Sequence, residues 1–161
     1  MRVILQRVSS ACVTVDERVT GEIDQGVLVL LGIHKSDTEA DSAWLAQKIA
    51  ALRIFADNDD KMNRSLAELA GPAPSALEPA KPTVLVVSQF TLFASTRKGA
   101  RPSFNDAAPT QAAIPLYQSF LAKVEGLLGR PVATGEFGAM MKVSLVNDGP
   151  VTILLDSKLK E

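Results

Sequence analysis

Val143–Leu155 reads VSLVNDGPVTILL. Val143 and Leu145 on one side, and Val151, Ile153, Leu154 and Leu155 on the other, form two β-rich arms around Asn147-Asp148-Gly149-Pro150. Glycine takes positive φ at little steric cost, and proline has no N–H to give to a ladder. An X-Pro bond is also the one peptide bond with an appreciable cis population. The ordinary reading is a hairpin turn that folds one arm back on the other. The sharper reading is a rigid backbone feature that aims carbonyls at a ligand. Both readings commit this end of the chain to a sheet.

Upstream, Arg2–Val8 and Ala11–Val15 read as short strands, and Arg18–Ile23 alternates after a turn at Asp16-Glu17. Gly26–Ile33 is a continuous apolar run bounded by glycine, the pattern of a strand buried on both faces. Ser36-Asp37-Thr38-Glu39 matches a capping box, and Trp44, Leu45, Ile49, Leu52 and Phe55 follow at helical spacing. Thr83–Val87 is a second strongly apolar strand. A second helix is expected from Pro109 through Leu116, Tyr117, Phe120, Leu121, Val124 and Leu127, with Pro115 either kinking it or marking its true start. Arg130–Thr134 and Met140–Val146 supply further strands, and the proline- and alanine-rich Gly71–Pro82 reads as a surface loop. Two main helices amid many strands predict a single α/β domain over residues 1–161 with a mixed sheet core.

Composition narrows the function. Among 161 residues, 17 Lys and Arg against 18 Asp and Glu argue against coating long nucleic acid such as DNA, though not against gripping one end. A single cysteine, Cys12, forms no intramolecular disulfide and suits a reducing compartment. No apolar run approaches a membrane span, and Gln6-Arg7 interrupts any signal-peptide core, so a cytoplasmic location is expected. One histidine and one cysteine make a zinc site improbable. His34 follows a buried strand and reads as an ordinary strand-end residue. Asp57-Asn58-Asp59-Asp60 lacks the sixth-position glycine of a calcium loop, where Met62 stands, and is expected to be an acidic turn. Neither a phosphate-binding glycine loop nor a Gly-x-Ser-x-Gly elbow occurs. An enzyme of this composition works without metal or cofactor, through hydroxyls, backbone amides and its substrate's own groups.

The strand end Ser88-Gln89-Phe90-Thr91 is the best place for such chemistry. It turns abruptly polar after an apolar strand, offers two hydroxyls and an amide, and its backbone N–H groups suit an oxyanion hole. A plain polar strand terminus is the alternative. Arg97, Lys98 and Arg101, with Gly99 between them, form a basic loop suited to phosphate contacts or simply to solvent. Phe137, Met140 and Met141 have the character of base-stacking residues as well as of ordinary packing.

Taken together, these segments resemble the D-aminoacyl-tRNA deacylase family. The match rests on Gln6-Arg7-Val8, Thr20-Gly21-Glu22-Ile23, Arg53-Ile54-Phe55, Lys61-Met62-Asn63, Ser88–Leu92, Lys98-Gly99-x-Arg101-Pro102-Ser103-Phe104, Thr134-Gly135-x-Phe137–Met141 and Val143-x-Leu145–Thr152, in family order. Phe93-Ala94 departs from the family's usual continuation, and Gly71–Pro82 is longer than in short members.

The resemblance implies a homodimer of three-layer α/β/β subunits. It further implies hydrolysis of the ester joining a D-amino acid, and glycine as well, to the terminal adenosine of tRNA. On the family's pattern, Gly149-Pro150 would be a cis-proline motif entering the partner subunit's pocket, where its carbonyls read the α-amino group and exclude L side chains. Arg7 would brace that motif, and Phe137 and Met141 would border the adenine. The substrate's 2′-OH would activate water while Ser88, Gln89 and the Phe90–Thr91 backbone orient the ester. Two other readings stand beside this one: a non-catalytic binder of the tRNA end, and a serine/threonine esterase using Ser88 or Thr91.

Overall fold

β1, Arg2–Val15, is one 14-residue strand rather than the two short ones expected. It turns at Asp16-Glu17, both with positive φ, into β2, Arg18–Ile23, which leads into β3, Gly26–Gly32. The remaining elements are α1 (Glu39–Ala51), the two-stranded ribbon β4 (Phe55–Ala56) and β5 (Met62–Arg64), the short α2 (Leu66–Ala70) and β6 (Val84–Ser88). A 3-10 turn (Phe90–Phe93), α3 (Thr110–Leu128), β7 (Ala133–Thr134) and β8 (Lys142–Asp156) complete the chain. The computed structural model describes residues 1–71 and 81–160, so most of the expected Gly71–Pro82 loop lies outside the described residues.

The main sheet has six strands. β1 pairs antiparallel with β2, β3 and β8, while β3, β6 and β7 run parallel in that order. The sheet is therefore mixed, and the long connection from β3 to parallel β6 carries α1. The apolar runs are apolar throughout because both faces are covered. Val27, Val29 and Leu31 of β3 and Val84 and Val86 of β6 face the core shared with α1 and α3. Leu28, Leu85 and Val87 face a second, smaller core. That second core exists because the sheet curls: a Cβ on Gly21 of β2 would lie 2.4 Å from the Thr134 carbonyl oxygen of β7. Helices cover one face of this single curled sheet.

Against β8 the hairpin reading fails. Its 15 residues form one strand, both arms of which pair in sequence with β1. Between Gln6↔Thr152 and Val8↔Asn147, β1 advances two residues and β8 five, so Asp148-Gly149-Pro150 bulges out of a continuing ladder. The excursion also divides the strand's packing. Val151, Ile153 and Leu155 join the helix-facing core, while Val143 and Leu145 join the smaller one.

The first helix begins two residues later than its capping signal. Thr38 is the N-cap, and its N–H and hydroxyl donate to Asp41 at 2.8 and 3.0 Å. Ser36 instead contacts Nδ1 of His34, and Glu39 pairs with Lys123 on α3. Pro109 caps α3 and Pro115 lies within it, so Pro109 marks the start. Of Arg130–Thr134 only Ala133–Thr134 is strand. Asp57 folds its turn as expected, accepting from the Asp59 and Lys61 amides and from Asn63.

Asp41 also locks the end of β8 to α1, accepting from Ser157 Oγ at 2.7 Å and Lys158 Nζ at 2.8 Å. Burial alone would push its carboxyl up, but the bonds from Lys158, Ser157 and Thr38 outweigh burial and hold it well below the ordinary 3.8. A depressed carboxyl stabilises the fold above its unfolded value and loses that contribution as pH falls through its folded one. Asp41→Asn is expected to destabilise by about 1–3 kcal/mol at pH 7. The difference from the wild type should narrow below pH 3.8, measurable by urea denaturation across pH.

Candidate active site

Ser88 ends β6 beside Leu31 of β3, and the Gln89 N–H donates to the Leu31 carbonyl at 2.8 Å. The chain then tightens into the 3-10 turn, which packs on the end of β3 where Gly32 leaves room. A Cβ there would stand 3.0 Å from both the Gln89 oxygen and Leu92 Cβ. Arg2 pins the same turn, donating to the Leu92 carbonyl at 2.7 Å, with its guanidinium 4.8 Å from the Phe93 ring centroid and bonded to Asp156. The polar strand end is thus held by the sheet itself.

A cavity of about 460 Å³ opens here. Ser88, Gln89 and Phe90 form one wall, and Phe137 and Gly138 another, with Phe104 and the start of α3 closing it. Phe137 is set by Tyr117, whose ring packs edge-on at 5.2 Å and whose hydroxyl, buried, donates to the Val86 carbonyl at 3.2 Å. Burial pushes the Tyr117 hydroxyl up to about 12, so it stays a neutral donor. None of the described residues lining this cavity carries an ionisable side chain. The lining offers hydroxyls at Ser88 and Thr110, an amide at Gln89, and backbone.

Thr91 lies outside that wall. It is exposed, and its Oγ1 accepts a hydrogen bond from the Gln89 amide. The Phe90 and Thr91 N–H groups open the 3-10 turn, where a first turn has no internal acceptor. Neither donates to another backbone carbonyl outside that turn among the described residues. Both remain available to an oxyanion. Met141 is not beside Phe137 in this cavity. Its sulfur occupies the space above Gly135, against the smaller core, in a separate concavity with the Asp16-Glu17 turn. Arg97, Lys98 and Arg101 are exposed on the loop following the 3-10 turn. His34 keeps out of the cavity, its ring against Phe93 and Ser36. Phe104, given no role by the sequence reading, is a wall residue. Its signal was an aromatic side chain directly after a basic, turn-rich loop.

Gly149-Pro150 is a cis peptide, exposed on the β8 excursion. Asn147 closes the base of the excursion, its Oδ1 accepting from the Val151 N–H at 2.8 Å. Arg7 holds the flank, donating from Nε to the Asp148 carbonyl at 2.9 Å and from a terminal nitrogen to the Ile54 carbonyl at 2.5 Å. Only a guanidinium spans both acceptors from one position. Arg7→Lys is therefore expected to release the excursion while leaving the cores intact. In the purified variant, amide hydrogen exchange of Gly149 and Val151 should quicken about tenfold, the scale of one charge-assisted hydrogen bond, with little change in melting temperature.

The fold and cavity define an α/β protein with a pocket lined by aromatic rings, hydroxyls and one amide. A family profile described as D-Tyr-tRNA(Tyr) deacylase matches residues 4–156. The D-aminoacyl-tRNA deacylase of Opitutus terrae is 60% identical over 161 residues, covering 100% of both chains. That of Roseiflexus castenholzii is 55% identical over 99% of this chain and 94% of its own. Among solved structures, a c-Myc DNA Unwinding Element Binding Protein superposes with a TM-score of 0.82 at 36% identity, covering 97% of this chain and 98% of that one. A probable eukaryotic D-amino acid tRNA deacylase shares the fold, with a TM-score of 0.76 at 18% identity over 96% and 97% of the two chains. The chain belongs to the D-aminoacyl-tRNA deacylase family.

Proposed function

We propose that this protein hydrolyses the ester of D-aminoacyl-tRNA, and that of glycyl-tRNA, while sparing L-aminoacyl-tRNA. One observation carries the reading: the Ser88–Phe90 strand end and Phe137 share a cavity whose walls supply hydrogen bonds and stacking but no titratable group. An aminoacyl ester is already activated, so an oxyanion site and positioning suffice for its hydrolysis. Phe137 takes the terminal adenine, with Met141 reaching it only through a shift of its side chain. Ser88, Gln89 and the Phe90–Thr91 amides orient the ester, and Arg97, Lys98 and Arg101 meet phosphates of the acceptor end. The partner is the acceptor end of tRNA, and the chain's near-neutral charge suits a short contact rather than the coating of a long nucleic acid such as DNA.

Chirality is read by Gly149-Pro150 across a dimer. Within one chain Arg7, which braces the motif, lies four residues along β1 from Val3, and Val3 shares a row with Leu31 and Ser88. The pleated spacing puts that separation at roughly 16 Å, too far for the motif to reach its own cavity. A second copy supplies the missing reach. β8 favours such pairing, being a 15-residue strand that among the described residues pairs only with β1, with Val146 and Leu154 more than half exposed. In that assembly the two limbs of the curled sheet act as the β layers of the α/β/β subunit. Among the described residues no helix is long and apolar enough to cross a membrane, and the proposed activity places the protein beside translation in the cytoplasm.

Incubation with D-tyrosyl-tRNA and L-tyrosyl-tRNA tests the reading. The D ester should disappear far faster than in buffer and the L ester no faster. Loss of the D ester at the buffer rate would sink the assignment and favour a non-catalytic binder.

A further inference from the structure

Phe90 and Phe104 are 56% and 37% exposed, yet they pack edge-to-face with centroids 5.0 Å apart. Neither belongs to a core cluster. Phe137, the third aromatic ring of the cavity, differs in kind, being half-buried on Tyr117 and packed against the larger core. The cavity therefore has one inner ring and an outer pair at its rim. Beside that pair, Ser95 and Ser103 exchange backbone hydrogen bonds of 2.8 and 2.9 Å, closing residues 96–102 into a tongue. Arg97, Lys98 and Arg101 ride on the tongue, and Phe104 follows its base directly. None of the three cations has an ion-pair partner among the described residues.

Exposed rings beside free cations form the combination that holds single-stranded nucleic acid, the rings taking base faces and the cations the backbone. We propose that Phe90 and Phe104 stack the base of the nucleotide preceding the terminal adenosine, while the tongue's cations hold the phosphate that links the two. This rests on the cavity being the seat of the terminal adenosine, as proposed above. If the inner ring takes that adenine, the strand leaves past the rim, where among the described residues the outer pair is the only exposed aromatic surface lining the cavity. Stacking reads a base by its face, so the platform would grip the invariant single-stranded end and ignore the amino acid.

Phe104→Ala, Phe104→Leu and Phe104→Trp test this on two esters, D-tyrosyl-tRNA and D-tyrosyl-adenosine, the latter lacking the preceding nucleotide. Preference for the tRNA ester over the adenosine ester should fall about tenfold in the Ala and Leu variants, through KM, and recover in the Trp variant. An unchanged preference overturns the proposal. So does a change in selectivity between D-tyrosyl and D-alanyl esters, which would give the pair to the amino acid, or a shift to a smaller species in sedimentation, which would give it to a contact between copies. A binding cycle runs independently of turnover. An uncharged acceptor-stem minihelix made abasic at the penultimate position should bind wild type about tenfold more weakly, and Phe104→Ala should show no further loss on it. Additive losses refute the platform. If the wild type hydrolyses no D ester, the deacylase reading fails and the binding cycle still decides this one. If Phe104→Ala does not fold, the abasic and intact minihelices on wild type and Phe104→Trp decide it.

Discussion

Replacing the terminal 2′-OH of D-tyrosyl-tRNA by hydrogen is expected to slow deacylation by more than about a thousandfold, whereas Thr91→Ala should cost less than about tenfold. The argument starts from the cavity wall. Ester hydrolysis needs a group to take a proton from water, and no described side chain lining the cavity titrates. Ser88 could attack only if a base stood beside it, and its neighbours there are Gln89, Phe90 and the apolar strand β3. Thr91 lies off the wall with its hydroxyl engaged by Gln89. On the reading proposed above, the vicinal hydroxyl of the substrate's own ribose takes the proton from water while passing its own to the departing 3′ oxygen. Single-turnover rates on the 3′-linked deoxy ester measure the first effect, and the same assay on Thr91→Ala measures the second. Full activity on the deoxy ester refutes substrate assistance, and a thousandfold loss in Thr91→Ala would restore a side-chain nucleophile.

Much of the architecture was readable because period and punctuation agree where burial is simple. Gly26–Gly32 and Val84–Ser88 are apolar on both faces, and both are strands between two cores. The buried positions of α3, Ala113, Tyr117, Phe120, Val124 and Leu128, keep helical spacing. Misreadings arose where tertiary pairing overrode local signals. Ser9 and Ser10 look like a break between two strands, yet β8 pairs along the whole of β1 and absorbs the irregularity as a bulge. Asn147-Asp148-Gly149-Pro150 has the composition of a hairpin turn, and only the presence of β1 beside both arms makes it an excursion. The capping box slipped by two because Asp41, not Glu39, receives Thr38, a choice tied to Ser157 and Lys158 at the far end of the chain. Of the candidate cavity, the strand-end wall was legible as an abrupt turn from apolar to polar residues. Its outer wall was not, since Phe104 reaches the cavity through a loop whose path is set by the Ser95–Ser103 pairing.

The Gly149→Ala variant is expected to lose at least about a hundredfold in deacylation of D-tyrosyl-tRNA with its fold retained. Gly149 sits at φ +138, a conformation L side chains rarely adopt, and a Cβ would come within 2.8 Å of Val151 Cγ2 and 3.0 Å of an Arg7 terminal nitrogen. Strain of this kind costs on the order of 1–3 kcal/mol and is relieved by moving the backbone. Here the movable part is the exposed excursion, since β1 and the Asn147 clamp hold its base. The cores lie elsewhere, so the melting temperature should fall by only a few degrees. The rate should fall much further, because the proposed filter of backbone carbonyls would work only where it is aimed, and a displacement of about 1 Å removes orientation worth a factor of a hundred. A methyl at this position would also occupy space that, in the cross-subunit arrangement, belongs to the amino acid. Melting curves and single-turnover rates on one preparation separate the two outcomes. A parallel fall in both would mean general loss of structure, and an unchanged rate would remove Gly149 from the substrate's surroundings.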